Sequence, residues 1–145
     1  MYLVSRPELE ECSHALNSSD VEVRSGEIPE EIIHSRREYG IPLDCTWVIT
    51  APPLQRIYLQ FFDYLLEKPN DCTYNFVEVY GSRTELHGSE GRLKQFCGSQ
   101  TDTVTSPGNV LHIRFYTHYN YDESKILSEF IAYYNFYREL GEGDF

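Results

Sequence analysis

The sequence contains no run of about 18 consecutive apolar residues, the length that a membrane-spanning helix needs. It also lacks a secretory signal, because charged residues occur within the first eleven positions before an apolar segment can form. We therefore expect no direct membrane insertion of this chain. If the natural protein is exported or anchored in a membrane, the chain is an excised piece of it.

Motifs that carry catalysis are missing as well. The chain has no Gly-x-Ser-x-Gly elbow, no His-Glu-x-x-His pair and no phosphate-binding loop. No internal repeat is visible along the sequence. These absences argue against an enzyme and favour a role in binding.

Basic residues are scarce. The sequence has 12 Lys and Arg against 23 Asp and Glu, which gives a formal net charge of -11. Such a surface repels nucleic-acid phosphates and anionic lipids, so neither is an expected partner. A protein with a basic patch, or a cation, would be attracted to it instead.

The cysteines are few and widely spaced, at Cys12, Cys45, Cys72 and Cys97, with no Cys-x-x-Cys pair. A zinc finger needs closely spaced ligands that converge, so this spacing disfavours one. Four buried thiols are an alternative. An even count in a single small domain fits two disulfides better, and disulfides indicate an oxidising compartment.

Apolar residues are abundant enough for one ordered domain, at 41% of the 145 residues, and 14% are aromatic. Runs rich in β-branched and aromatic residues predict strands at residues 45–50, 56–64 and 75–80. These runs indicate an antiparallel β-sandwich held by disulfides. In the middle run two sets of residues alternate between opposite faces: Ile57, Leu59 and Phe61 on one, and Tyr58, Gln60 and Phe62 on the other.

Further strands are predicted at residues 93–97, 110–117 and 130–137, with a first short strand around Val21 and Val23. The aromatic density of the last run favours a strand, with a helix at 123–137 as the alternative. Residues 29–40 could form one helical turn or a surface loop.

Alternation also assigns the two faces of the run 110–117. Leu111, Ile113 and Phe115 are expected to face the core. His112 falls on the opposite face, so we expect a surface residue there rather than a metal ligand.

The expected organisation is a lead-in at residues 1–11, one domain at 12–138 and a tail at 139–145. Asn17, Ser18 and Ser19 form a sequon for N-linked glycosylation, which is usable where the segment is exposed in a secreted protein.

Eight short segments follow one another in an order that resembles a CUB domain, and the resemblance covers residues 12–137. The Ser-Pro-x-Tyr-Pro segment that CUB domains usually have before the second cysteine is absent, and residues 28–44 stand in its place. The matching segments are Gly26-Glu27-Ile28, Cys45-Thr46-Trp47-Val48-Ile49, Phe61-Phe62-Asp63, Cys72-Thr73-Tyr74, Val77-Glu78-Val79-Tyr80-Gly81, Phe96-Cys97-Gly98, Leu111-His112-Ile113-Arg114-Phe115 and Phe130-Ile131-Ala132-Tyr133-Tyr134.

The resemblance implies an all-β fold, a CUB-type jelly-roll sandwich of two antiparallel sheets. It also implies the disulfides Cys12 to Cys45 and Cys72 to Cys97. CUB domains are extracellular and non-enzymatic, so the resemblance implies a secreted protein or the ectodomain of a membrane protein. Its partner would then be an extracellular protein or a membrane receptor.

We expect the domain to be an interaction module of a larger receptor or receptor auxiliary subunit. Residues 70–72, 75–77 and 79–82 look like the CUB domains of neuropilin-and-tolloid-like membrane proteins. The alternatives are a substrate-recruiting accessory domain of a secreted tolloid-like or complement-like protease, and a spermadhesin-like carbohydrate-binding module.

Many CUB domains hold calcium between loops at one end, and the resemblance carries those positions to Glu67, Asn75 and His118. Asn75 and His118 replace aspartates, so two of the three anionic ligands are missing, and imidazole is a poor calcium ligand. Asp63 or Asp122 could compensate. The expectation is therefore no cofactor, with calcium disfavoured.

Without a calcium site, we expect partner binding to use tyrosines, which are enriched at binding hot spots. One group lies in and beside the polar segment 119–128, which is predicted to be a loop, and a second group is assigned to one sheet face. The alternative is that these rings only cover the sandwich. The candidates are Tyr116, Tyr119 and Tyr121 in the first group, and Tyr58 and Tyr134 in the second.

Overall fold

The computed structural model describes residues 12–65, 75–81, 92–97, 101–117 and 129–138. The expected lead-in and tail lie outside these ranges, so the domain limits stay predictions. In the described ranges the chain forms a short 3-10 turn at Ser25–Glu27, one α-helix, α1, and nine strands. Their bounds are β1 Ser13–Leu16, β2 Val21–Arg24, α1 Glu30–Glu38, β3 Leu43–Thr50, β4 Gln55–Leu65, β5 Asn75–Tyr80, β6 Arg92–Phe96, β7 Val104–Thr105, β8 Val110–Thr117 and β9 Glu129–Arg138.

The strands form two sheets. One has five strands in the order β1-β3-β8-β5-β6, and the other has four in the order β2-β9-β4-β7. Neighbouring strands are antiparallel, except that β1 runs parallel to β3. The prediction of an all-β sandwich is confirmed, with the correction that one edge pair is parallel.

The core lies between the sheets and takes one alternating set of side chains from each strand. Ile57 and Leu59 of β4 and Leu111, Ile113 and Phe115 of β8 are at most 1% exposed. The alternation predicted for β4 and the inward face predicted for β8 are therefore confirmed. Burial of each such side chain contributes about 1.5 to 3 kcal/mol.

Phe130 of β9 joins the two sheets through its aromatic ring. Its ring centroid lies 5.5 Å from that of Trp47 in β3 and 5.3 Å from that of Phe115 in β8, both with edge-to-face geometry. Such pairs add about 0.5 to 1.5 kcal/mol beyond the buried area. The four-stranded sheet is therefore held to the centre of the five-stranded sheet by specific ring contacts.

A disulfide links Cys12, just before β1, to Cys45 in β3, with Cα atoms 4.7 Å apart. The backbone N–H of Thr46 donates a hydrogen bond to the carbonyl of Cys12 at 2.9 Å. This bridge is the first of the two expected. Cys97 is also disulfide-bonded, but Cys72 lies outside the described residues, so the second pairing stays a prediction.

The segment interpreted as one helical turn or a loop forms the nine-residue helix α1, Glu30–Glu38. Ile32 is 5% exposed and belongs to the core. This burial stabilises the helix beyond the single turn that the local sequence predicts. Gly40, at φ 66°, ends the helix, and Ile41 N–H donates to the carbonyl of Arg36 at 2.8 Å. No helix in the described ranges is long and apolar enough to cross a membrane.

Two strands were not predicted, because β7 is too short to show alternation and β1 lacks the β-branched and aromatic residues typical of strands. β1 has four residues and β7 has two. At the other end of the chain, β9 covers residues 129–138 as a strand. Over those residues the alternative of a helix at 123–137 is excluded.

The expectation that His112 is a surface residue is wrong, because it is 1% exposed. His112 lies opposite Tyr80 of β5, which is also 1% exposed, and Glu78 on the same strand is 3% exposed. The outer side of the five-stranded sheet is therefore covered at its centre. Alternation assigns a residue to a face, but it cannot show whether that face is exposed.

Candidate protein-binding surface

The outer side of the four-stranded sheet carries an aromatic surface, which we call the tyrosine face: Tyr58, Phe62, Tyr133 and Tyr137. The register places Tyr133 opposite Gln60, and Tyr137 opposite Arg56. Since cross-strand partners point to the same side of a sheet, the alternation that buries Leu59 turns these aromatic residues outward. The three tyrosines are partly exposed.

Phe62 is the most exposed member of the tyrosine face. Its side chain is 63% exposed, and its ring centroid lies 5.9 Å from that of Tyr133. The β4–β9 register shifts between Phe61 and Asp63, which marks a β-bulge at this position. Phe62 is the residue that the register skips, and alternation from Tyr58 and Gln60 turns its ring outward.

Tyr133 is held in place by a hydrogen bond. Its hydroxyl donates to a carboxylate oxygen of Asp20 at 2.6 Å. This hydrogen bond raises the pKa of Tyr133 above its ordinary value, because the neutral phenol is the donor. Asp20 has a φ of 62°, the left-handed region in which Asp and Asn are tolerated.

The border of the tyrosine face along β2 is charged. Glu22 lies opposite Tyr133, and the guanidinium Nε of Arg24 donates to the Glu22 carboxylate at 2.7 Å. Both side chains of this pair are nearly half exposed, at 45% and 46%. An apolar aromatic centre with a polar rim is the usual composition of a protein interface.

The placement of Tyr134 beside Tyr58 on one sheet face was wrong. Tyr134 lies opposite Leu59, and its side chain is fully buried in the core. Tyr58 lies opposite Asn135 on the outward side. Tyr133 and Tyr137, which the sequence prediction missed, take the position assigned to Tyr134.

The outer side of the five-stranded sheet carries a different arrangement, which we call the charged ladder: Asp44, Arg114, Glu78 and Arg92. Arg114 Nε and Nη2 donate to the two oxygens of Asp44 at 2.9 and 2.8 Å. Its Nη1 donates to Glu78 Oε1 at 3.0 Å, and Arg92 Nη1 donates to Glu78 Oε2 at 2.8 Å. The ladder therefore crosses strands β3, β8, β5 and β6 in order.

The two central members of the charged ladder are largely buried. Side-chain exposure is 16% for Arg114 and 5% for Glu78. The bidentate hydrogen bonds to Asp44 and those to Glu78 raise the pKa of Arg114 further above its ordinary value. Burial, followed by the nearby Glu78 carboxylate, raises the pKa of Tyr80 on the same side of the sheet.

Tyr116, one of the predicted partner-binding residues, lies next to the charged ladder. Its ring stacks on Phe76 with centroids 4.9 Å apart and planes 8° from parallel. The guanidinium carbon of Arg114 lies 5.6 Å from the Tyr116 centroid and 5.5 Å from that of Phe76. Tyr116 is thus largely engaged within the domain, and its partner role stays a prediction. Tyr119 and Tyr121 lie outside the described residues.

The calcium positions taken from the resemblance are mostly not described. Glu67, His118 and Asp122 lie outside the described ranges, and only the backbone of Asn75 and Asp63 is placed. In the part of the chain that is described, no group of three His, Cys, Asp or Glu side chains converges to hold a metal ion.

The family model of the CUB domain matches residues 12–134 of this chain. Neuropilin and tolloid-like protein 2 from Mus musculus is 33% identical over 120 residues, which cover 83% of this chain and 21% of the relative. Tolloid-like protein 1 from Mus musculus is 35% identical over 106 residues, which cover 72% of this chain and 10% of the relative. The chain therefore spans about a fifth or less of these relatives.

Solved structures show the same fold. The CUB1-EGF-CUB2 domains of rat MASP-1 match with a TM-score of 0.64 and 23% identity, over 90% of this chain and 44% of that one. The MASP-1 CUB2 domain bound to Ca2+ matches with a TM-score of 0.57 and 14% identity, over 84% of this chain and 96% of that one. At these identities the likeness concerns the fold alone. The match over residues 12–134, together with the two-sheet sandwich and its first disulfide, shows that this chain belongs to the CUB domain family.

Proposed function

We propose that this CUB domain is an extracellular, non-enzymatic module that binds a protein partner through the tyrosine face. The supporting observation is the outward cluster of Tyr58, Phe62, Tyr133 and Tyr137 on the rigid four-stranded sheet. The chain's membership of a family of interaction modules supports the same role.

The tyrosine face suits protein binding for physical reasons. Tyrosine supplies a large contact area with few rotatable bonds, so little side-chain entropy is lost on binding. The strands fix the backbone beneath the rings, and Asp20 fixes the Tyr133 hydroxyl. A partner would therefore meet a surface that is already organised.

The net charge of -11 favours a partner with a basic patch. Asp20 and Glu22 place carboxylates beside Tyr133, where they would attract Lys or Arg of the partner. Such long-range attraction mainly raises the association rate and weakens as salt is added.

The role of the larger protein belongs to this proposal too. Similarity to neuropilin and tolloid-like protein 2 supports a module of a receptor or receptor auxiliary subunit. Similarity to tolloid-like protein 1 supports the second candidate, an accessory domain that recruits substrates to a secreted protease. In both cases the domain itself binds and does not catalyse.

The direct test is a screen of this domain, displayed as a multivalent probe, against an array of extracellular ectodomains. The double variant Tyr58→Ser, Tyr137→Ser should weaken binding of a hit by about 30-fold or more, since loss of hot-spot contacts costs at least 2 kcal/mol. Tyr39→Ser is the matched control, because Tyr39 is 40% exposed and directly follows α1, outside the strands that carry the tyrosine face.

Surface plasmon resonance at two salt concentrations tests separately the role of the tyrosine face and the basic patch on the partner. Weaker binding in high salt, with Tyr39→Ser unchanged, is the expected result. Equal affinities for the wild type and the double variant would show that the partner uses another surface. Affinity that does not depend on salt would remove the basic patch from the proposal but keep the tyrosine face.

A further inference from the structure

Four strands lie at the ends of the two sheets, and among the described residues they differ in how their open edges are protected. Exposed edges can pair with strands of other molecules, and proteins limit this by short strands, charges or covering groups. β7 has only two residues, β6 contains Arg92 and Lys94, and β2 contains Glu22 and Arg24. β1, with the sequence Ser-His-Ala-Leu, has neither a Lys, Arg, Asp or Glu nor a proline.

The glycosylation sequon follows this unprotected strand directly. β1 ends at Leu16, and Asn17 is the next residue, with an exposed side chain. The connection from 17 to 20 then crosses from the edge of the five-stranded sheet to β2, the edge of the four-stranded sheet. A large group on Asn17 would therefore stand at the end of β1, on the connection that joins the edges of the two sheets.

We propose that Asn17 carries an N-linked oligosaccharide that covers the open edges of β1 and β2. A hydrated glycan is bulky and cannot donate a strand, so it blocks edge pairing sterically. It would supply for β1 the protection that charges give to β6. The inference rests on the extracellular location of the domain and is independent of the tyrosine face.

The modification uses an oligosaccharide linked to a lipid pyrophosphate as its donor. A bond forms between Asn17 Nδ2 and the anomeric carbon of the first sugar, and the bond from that carbon to the pyrophosphate oxygen breaks. The lipid pyrophosphate leaves with the bonding electron pair, and the amide nitrogen loses one proton. No oxidant or reductant is involved.

The structure also indicates when the sequon is available. In the folded domain the Ser19 hydroxyl accepts a hydrogen bond from the backbone N–H of Phe136 at 2.9 Å, and these residues are 117 positions apart. The sequon hydroxyl is thus engaged once β9 has joined the sheet. Glycan transfer should therefore precede that step, and refolded protein should be a poor acceptor.

The first experiment measures occupancy. The chain is secreted from mammalian cells behind a signal peptide, and the glycan is removed with peptide N-glycosidase in water enriched in ¹⁸O. Mass spectrometry should find an ¹⁸O-labelled Asp at position 17. Ser19→Thr should remain glycosylated, whereas Asn17→Gln should not. An unlabelled Asn17 in secreted protein would overturn the proposal while leaving the partner-binding function untouched.

The second experiment measures edge protection by sedimentation velocity after mild heating. Asn17→Gln should form about threefold or more oligomer than the wild type or Ser19→Thr, because its β1 edge is open. Ala15 is an exposed residue of β1. Adding Ala15→Lys to Asn17→Gln should return oligomer formation to the wild-type level, since a charge on the strand replaces the glycan.

Two outcomes of the second experiment would contradict the covering role. In one, Asn17→Gln oligomerises no more than the wild type. In the other, Ala15→Lys fails to rescue it, which would place the association away from β1. Melting temperatures of all variants are compared before heating, so that a general loss of stability is recognised.

Discussion

The outer sides of the two sheets differ in how far their side chains are engaged within the domain. On the five-stranded sheet, the charged ladder pairs two carboxylates with two guanidinium groups and leaves little hydrogen-bonding capacity for a partner. On the four-stranded sheet, the tyrosine face presents partly exposed tyrosines and the ring of Phe62, which is 63% exposed and lies beside Tyr133. Paired charges with a buried centre belong to the internal structure of one face, whereas the aromatic residues of the other face are the ones we propose for binding another protein.

The largest expected effect comes from breaking the charged ladder. Arg114→Leu should destabilise the domain by about 3 to 5 kcal/mol, because it leaves the carboxylates of Asp44 and Glu78 without their shared partner. The control Arg24→Leu breaks the exposed pair with Glu22 and should cost less than about 1 kcal/mol. Chemical denaturation measures both, and equal costs would show that the ladder is no stronger than a surface ion pair.

A second test compares the inward and outward tyrosines of β9. Burial raises the pKa of Tyr134 to about 12, above the ordinary value of about 10 expected in the unfolded chain. The neutral phenol is therefore favoured in the folded state, and its contribution to the free energy of unfolding is fully present below pH 10. Between pH 10 and 12 about 2 to 3 kcal/mol should be lost, since each pKa unit corresponds to about 1.4 kcal/mol.

Tyr134→Phe should remove this part of the alkaline destabilisation. Among the described residues the Tyr134 hydroxyl has no hydrogen-bond partner, so the variant should equal or exceed the wild type at pH 7, by up to about 1 kcal/mol. Urea unfolding at pH 7, 10 and 11.5 measures the difference. A large loss of stability in Tyr134→Phe at pH 7 would reveal a hydrogen bond made by this hydroxyl.

A third test concerns the connection between the two sheets, from β3 to β4. Gln55 N–H donates to the carbonyl of Pro52 at 3.1 Å, and Leu54 lies in this turn at φ 71° with its side chain 82% exposed. A left-handed leucine costs about 1 to 2 kcal/mol. Leu54→Gly relieves this strain but adds unfolded-state entropy, so the net gain should be about 0.5 to 1 kcal/mol.

Gly40→Ala is the matched control for Leu54→Gly, because it adds a Cβ at a residue with positive φ, whereas Leu54→Gly removes one. Gly40 has φ 66°, and an added Cβ would meet no atom within 4 Å, so the change adds only backbone strain. It should lower stability by about 1 to 2 kcal/mol. Thermal unfolding of both variants checks the pair, and a loss of stability in Leu54→Gly would mean that the leucine side chain contributes contacts.

The smallest expected effect is that of calcium. The charged ladder already pairs Asp44 and Glu78 with arginines, and two of the three family ligand positions are Asn75 and His118. Millimolar calcium or a chelator should therefore shift the melting temperature by less than about 1 °C. A clear rise with calcium would contradict this expectation and favour a site completed by Glu67 with Asp63 or Asp122.

The strand positions could be predicted because β-branched and aromatic runs are long and their alternation is clear in β4 and β8. Which tyrosines of β9 face the core could not be predicted from the sequence. Its sequence is aromatic on both faces, with Phe130 and Tyr134 on one and Tyr133 and Tyr137 on the other. Either set could be buried, so the sequence pattern alone does not select one.

By itself, the sequence determined the family, the all-β class, the positions of the longer strands and the acidic charge, because these depend on composition and short periods. The tertiary structure decided which tyrosines face solvent, that His112 is buried, and that Arg114 joins Asp44 to Glu78. These features depend on which strands become neighbours and in what register. Residues that are far apart in the chain meet only after the sheets have formed.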